Sequence, residues 1–170
     1  MVRRVIEIVL AVVIIYMGYC LYDSIRQPVQ WQNEKAKRYA AIKKELLAVR
    51  DAQIVFKGEN GRYAKNFIEL RYFLAKGKIK KYYKNAGVKK NGELPYTYIN
   101  PADSVFGKGY NVYNLGFVPF NKARQTFTLN IVKNNNIEYI EVIDPSPFDP
   151  DDPLSIGSTV EPTLRASWEK

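Results

Sequence analysis

The sequence predicts an α+β protein: a long N-terminal helix, membrane-length at first and amphipathic further on, packed on a small antiparallel sheet of three to four strands. Three observations carry this. Val5–Tyr22 is apolar except for Glu7; apolar residues recur at helical spacing from Tyr39 to Phe56; and the third quarter alternates apolar with polar residues between turn-forming clusters.

The opening run follows Met1-Val2-Arg3-Arg4. At roughly 1.5 Å per helical residue it reaches about 27 Å, slightly short of a hydrocarbon core of about 30 Å. Tyr16, Tyr19, Tyr22 and the Arg pair suit the two interfaces. Three fates are open to such a run: retention as a single span, cleavage as a signal peptide, or a lipoprotein signal ending at Cys20. Retention fits the residues best. Met17-Gly18-Tyr19-Cys20-Leu21 has no A-x-A-like cleavage site, and Tyr19 is bulky for the position before a lipidated Cys.

Arg3 and Arg4 precede the span, whereas Asp23 and Arg26 cancel after it, which favours a cytoplasmic N-terminus. The expected layout is a cytoplasmic tail 1–4, a transmembrane helix 5–22, a linker and amphipathic helix 23–57, an α+β domain 58–144, and a Pro/Asp-rich extended tail 145–170. Such a chain would sit in a bacterial inner membrane with its C-terminal domain periplasmic or extracellular.

Composition removes most enzyme classes. There is no histidine, so zinc sites of the Cys/His types, Ser-His-Asp triads and Cys-His pairs lack their parts. The one Cys lies inside the apolar run and cannot staple the domain. Neither G-x-G-x-x-G nor G-x-x-x-x-G-K-[ST] occurs. Glu69, Glu93, Asp103, Glu138 and Glu141 could supply a carboxylate pair, but solvated surface acids explain them better. The expectation is a non-enzymatic protein with no catalytic residues, no metal and no cofactor.

Pro28 predicts a kink or break. Tyr39, Ile42, Leu46, Val49, Ala52 and Phe56 then form one helical stripe, with Lys37, Lys43, Lys44, Arg50 and Asp51 on other faces. Packing against the chain's own sheet is the favoured role of that stripe; a coiled-coil partner is the other. Gly58 is the expected C-terminal cap. After the turn Glu59-Asn60-Gly61-Arg62, Asn66 and Glu69 resemble a capping box opening a helix over Phe67–Ala75. It would bury Phe67, Leu70, Phe73 and Leu74 and close at Gly77. Strands are expected at Tyr96–Ile99, Tyr110–Val118, Gln125–Lys133 and Ile137–Ile143, the last two joined by Asn134-Asn135-Asn136. Asp144–Pro153, with four prolines and four aspartates, reads as a poorly ordered arm or a strap over the domain. Its prolines, and the missing Gly and twelfth-position Glu, do not make a calcium loop.

Charge is uneven. Residues 71–90 hold eight basic residues and no acid, while 138–170 carry a net charge of −6 in a chain of net +9. Lys78, Lys80, Lys81 and Lys84 with Tyr82 and Tyr83 form a candidate patch for an anionic ligand: lipid headgroups or polysaccharide ahead of DNA, with nucleic acid not expected. Simple solvation, or neutralisation by an acidic tail, is the favoured account of the same residues.

The element order resembles the type IV pilin and type II secretion pseudopilin superfamily: a short basic leader, an apolar helix with one early Glu, an amphipathic continuation and a small antiparallel sheet. Ala48-Val49-Arg50-Asp51-Ala52-Gln53, then Glu59-Asn60-Gly61-Arg62-Tyr63-Ala64 and Phe67-Ile68-Glu69-Leu70, is similar to the helix-to-loop passage of pseudopilins. The resemblance covers about residues 3–75. Arg3-Arg4-Val5-Ile6-Glu7 lacks the Gly of a prepilin cleavage site. The resemblance implies a structural or assembly subunit with homo- or hetero-oligomeric protein partners. It also implies that Glu7 is a subunit contact within the membrane; solvation of Glu7 at headgroup level is the alternative.

Overall fold

The computed structural model describes residues 2–83 and 94–169 and divides the chain into two compact units, Met1–Tyr39 and Ala40–Lys170. It contains one long helix, α1 (Val2–Asn60), shared by both units, and small antiparallel sheets in the second: the α+β class that the sequence predicts.

The first unit consists of the N-terminal part of α1. No break occurs at Pro28, which lies inside the helix. Proline removes the N–H that would meet the Ser24 carbonyl, but Ser24 is exposed, so water can take that acceptor. Side-chain bonds one turn apart support the backbone on either side. Gln27 Nε2 donates to Asp23 Oδ2 at 2.7 Å and Arg38 Nε to Glu34 Oε1 at 2.7 Å.

In the second unit α1 buries Ile42, Leu46, Val49, Ala52 and Phe56 on one stripe and leaves Lys44 and Asp51 exposed. Gly58 does not end the helix. The chain leaves it at Gly61, whose φ of +72° suits the left-handed position, and whose N–H donates to the Lys57 carbonyl at 2.8 Å. A glycine within a helix is tolerated at about 1 kcal/mol, so the position that requires positive φ, and not the first glycine, sets the end.

Helix α2 (Phe67–Lys76) begins as expected, with Asn66 Oδ1 accepting from the Glu69 N–H at 2.8 Å. The box is not reciprocal. Glu69 reaches the Lys65 N–H at 2.8 Å and the Arg62 guanidinium instead. Phe67, Leu70 and Leu74 are buried; Phe73 is half-buried, edge-on to Phe56 with ring centroids 5.0 Å apart. Gly77 closes α2 by donating to the Phe73 carbonyl at 2.7 Å, with φ −64°.

Two sheets follow. β1 (Ile79–Tyr82) pairs antiparallel with β2 (Tyr96–Ile99). The lysine-rich β1 is not among the expected strands. Helix α3 (Pro101–Val105) is capped by Asn100, whose Nδ2 also donates to the Ala75 carbonyl at 3.3 Å. The expected strand Tyr110–Val118 is absent: Val112–Asn114 is a 3-10 turn, and Phe117 makes only an isolated bridge to Thr126. The Asn111 side chain accepts from the Tyr113 N–H at 3.1 Å, offering the backbone a local partner in place of a ladder. Gly116 then turns at φ +85°.

The second sheet has order β3 (Thr128–Asn134), β4 (Ile137–Ile143), β5 (Ser155–Ser158), all antiparallel. Asn135 and Asn136, at φ 46° and 68°, make the β3–β4 turn in the geometry the asparagine run predicts. Leu129 faces Val142, which faces Ile156, giving the sheet an apolar face on which Ile140, Val142 and Ile156 are buried. The acidic, proline-rich segment is thus no loose arm. It leads into β5, which bridges to Ala166, and Leu154 and Ala166 are buried with it.

Candidate functional site

Three places bear on function. On α1, the most apolar 18-residue window meets the length and composition of a membrane span, and none of it is buried. Near its start Arg3 Nε lies 3.3 Å from Glu7 Oε1, one turn apart and both exposed. This pairing gives the acid a local countercharge, which lowers the cost of placing it near hydrocarbon. Cys20 is exposed on the same run. Tyr39, the last residue of the first unit, is buried and has the Lys35 ammonium 4.9 Å from its ring centroid, and the other members of the predicted stripe (Ile42, Leu46, Val49, Phe56) are buried in the second unit.

The candidate basic patch is divided by strand geometry. In the β1–β2 register Lys80 faces Tyr98 and Tyr82 faces Tyr96, so these four share one side of the ribbon. Tyr82, Tyr96 and Tyr98 stack edge-on in sequence, with centroids 5.8 and 5.5 Å apart, and the Lys80 ammonium lies 4.8 Å from the Tyr96 centroid. Lys81, opposite Thr97, takes the other side. Lys78 is exposed before the strand, and Tyr83 is exposed after it, its N–H donating to the Pro95 carbonyl at 3.0 Å. Lys84 lies outside the described residues. Tyr96 and Tyr98 were missed by sequence reasoning, although the Tyr-x-Tyr spacing within a predicted strand places both on one face.

The third place is the helix-to-loop passage. Gln53 is fully buried and binds Ala64 twice, accepting from its N–H at 2.9 Å and donating to its carbonyl at 3.2 Å. The Glu138 carboxylate accepts from the Tyr63 N–H at 2.8 Å, tying β4 to the same loop. The hydrogen bond from Arg62 holds the Glu69 carboxyl below its usual range. Two acids elsewhere behave oppositely. Burial pushes Glu45 up, its Oε2 having no partner among the described residues, with Lys44 partly offsetting the shift. Burial also raises Asp144, partly offset by the Ser146 N–H. Tyr110 is raised by burial and then by the Glu45 charge.

Among the described residues no cluster of three His, Cys, Asp or Glu side chains is placed to hold a metal ion. No family model, curated protein or solved structure matches this chain. These places offer apolar, cationic-aromatic and ion-paired surfaces.

Proposed function

We propose that the chain is a non-enzymatic, single-pass subunit of a membrane-anchored multiprotein assembly, pilin- or pseudopilin-like in layout, serving a secretion or surface apparatus of a bacterial inner membrane. The observation that carries this is the wholly unburied apolar stretch of α1 in a chain whose second unit has its own core. Exposed apolar surface on this scale has to be covered by lipid or by protein. The amphipathic stripe from Ile42 to Phe56 is already buried, which leaves the N-terminal part of α1 and the exposed faces of the domain for partners. In this reading the N-terminus is cytoplasmic, and Glu7 helps to select a neighbour within the membrane.

Bismaleimide crosslinking through Cys20 in native membranes tests the proposal. Oligomeric adducts are expected, reduced at least severalfold in Glu7→Ala. A protein that is monomeric in membranes with no co-purifying partner would refute it.

A second reading is favoured by the tyrosine–lysine side of the β1–β2 ribbon: a membrane-tethered module that binds an anionic lipid headgroup, a polysaccharide or DNA. Binding to phosphatidylglycerol vesicles that falls with salt and is lost in Lys80→Glu supports the lipid form of it. Binding unchanged by that substitution counts against it.

A further inference from the structure

Helix α2 presents Ile68, Arg71, Tyr72, Ala75 and Lys76 at helical spacing along one side, and Tyr113 of the 3-10 turn completes a cavity of about 280 Å³. None of the ribbon residues lines it. The rim is apolar and aromatic and stands in water: Ile68 is 77%, Tyr72 70% and Tyr113 69% exposed. Side chains of this kind are enriched in the centres of protein interfaces.

Arg71 is the unusual member. Its Nε donates to the Leu115 carbonyl at 2.8 Å, and its guanidinium carbon lies 4.4 Å from the Phe117 ring centroid, which Arg124 also approaches at 5.3 Å. Its Nη2 is buried without a hydrogen-bond partner among the described residues. A guanidinium cannot shed its charge as a lysine can. Within the protein its charge is met by a carbonyl and by ring faces. Arg71 as a whole is only half-buried and lines the cavity, so the accessible part of its guanidinium can take a carboxylate from outside in a charge-assisted pair with a partner already fixed in place.

We propose that this cavity docks an acidic segment of a partner protein, which seats an apolar side chain among Ile68, Tyr72 and Tyr113 and a carboxylate on Arg71 and Lys76. The exposed aromatic and apolar rim suits a side chain carried on a longer segment, whose backbone can rest on Ile68, Tyr72 and Tyr113. The sign of charge decides for an acidic segment, because the lining contains two cations and no acid. The proposal rests on the assembly reading only in taking the occupant to be protein. A peptide titration and the membrane crosslinking experiment can fail independently.

The test is calorimetric titration of the full-length protein in nonionic detergent with the blocked pentapeptide Ser-Glu-Phe-Glu-Ser. Saturable binding is expected, weakened at least tenfold when both peptide Glu residues are Gln. It should weaken to a similar degree in Arg71→Lys, which keeps the charge but loses the fork, and in Tyr113→Ser, an exposed change that leaves the fold intact. The proposal is overturned by no binding at millimolar peptide, or by equal binding of the Glu and Gln peptides. It is also overturned if sodium hexanoate binds as tightly as the peptide, or if self-association is abolished by Tyr113→Ser, which would give the cavity to a second copy.

Discussion

Replacing Gln53 with Leu keeps the volume of the side chain and removes both of its hydrogen bonds. Gln53 and Ala64 are fully buried, so water cannot replace what is lost. The Ala64 N–H at 2.9 Å and its carbonyl at 3.2 Å would both be left without partners. An unsatisfied buried group costs about 1–3 kcal/mol, so the pair predicts a loss of about 2–6 kcal/mol. Against a typical total of about 5–15 kcal/mol this is severe. Urea denaturation of the full-length protein in detergent, followed by circular dichroism, would measure it, and hydrogen exchange at the Ala64 amide would localise it. Gln53→Glu adds a directional check. The ionised side chain still accepts from Ala64 N–H but sets an oxygen against its carbonyl; protonated, it donates again. The folded state thus raises the pKa of the introduced acid, so its stability is fully present below the ordinary carboxyl range and is lost as pH rises through the folded value. A loss under about 0.5 kcal/mol for Gln53→Leu, or a Gln53→Glu variant indifferent to pH, would refute the reasoning.

Glu45 should show the same sign in the native protein. Because burial raises its pKa above 4.5, its contribution is present below that value and lost at higher pH, so Glu45→Gln should be more stable than the native protein at pH 7 and nearly equal to it at pH 4, read as the difference between paired thermal melts. Gly157 sits at φ +82°, and a Cβ there would lie 2.1 Å from the Ile140 carbonyl oxygen. Gly157→Ala should cost at least about 2 kcal/mol and deprotect β5 in hydrogen exchange. Asn66→Ala should cost about 1 kcal/mol in a denaturant melt through loss of the α2 cap, whereas Asn66→Asp should keep most of it.

What the sequence made legible was local and periodic. The unbroken apolar run, the buried stripe from Ile42 to Phe56, the Asn66 cap and the asparagine hairpin each depend on neighbours a few residues apart, and each is present in the structure. What escaped was set by distant partners. β1 is a lysine-rich tetrapeptide that becomes a strand only by pairing with β2, and β5, Ser-Ile-Gly-Ser, has little strand character apart from β4. Tyr110–Val118 carries a strand-like pattern, yet Asn111 and Gly116 redirect it. A Cβ at Gly116 would lie 2.4 Å from the Phe67 ring, so that glycine is shaped by α2. The candidate sites followed the same rule. Lys80 and Tyr82 were legible as a basic-aromatic pair, but the Tyr96 and Tyr98 that complete their face come from another strand. Gln53 and Arg71 carry no local signal of their partners, Ala64 and the Leu115 carbonyl, which lie 11 and 44 residues further along the chain.

The central claim is that the apolar start of α1 is a retained membrane anchor. It is tested most directly by the intact mass of the protein recovered from carbonate-washed native membranes. The account predicts a membrane-pelleted protein whose mass includes residues 5–22. A carbonate-soluble protein, or a mature form lacking that run, would contradict it.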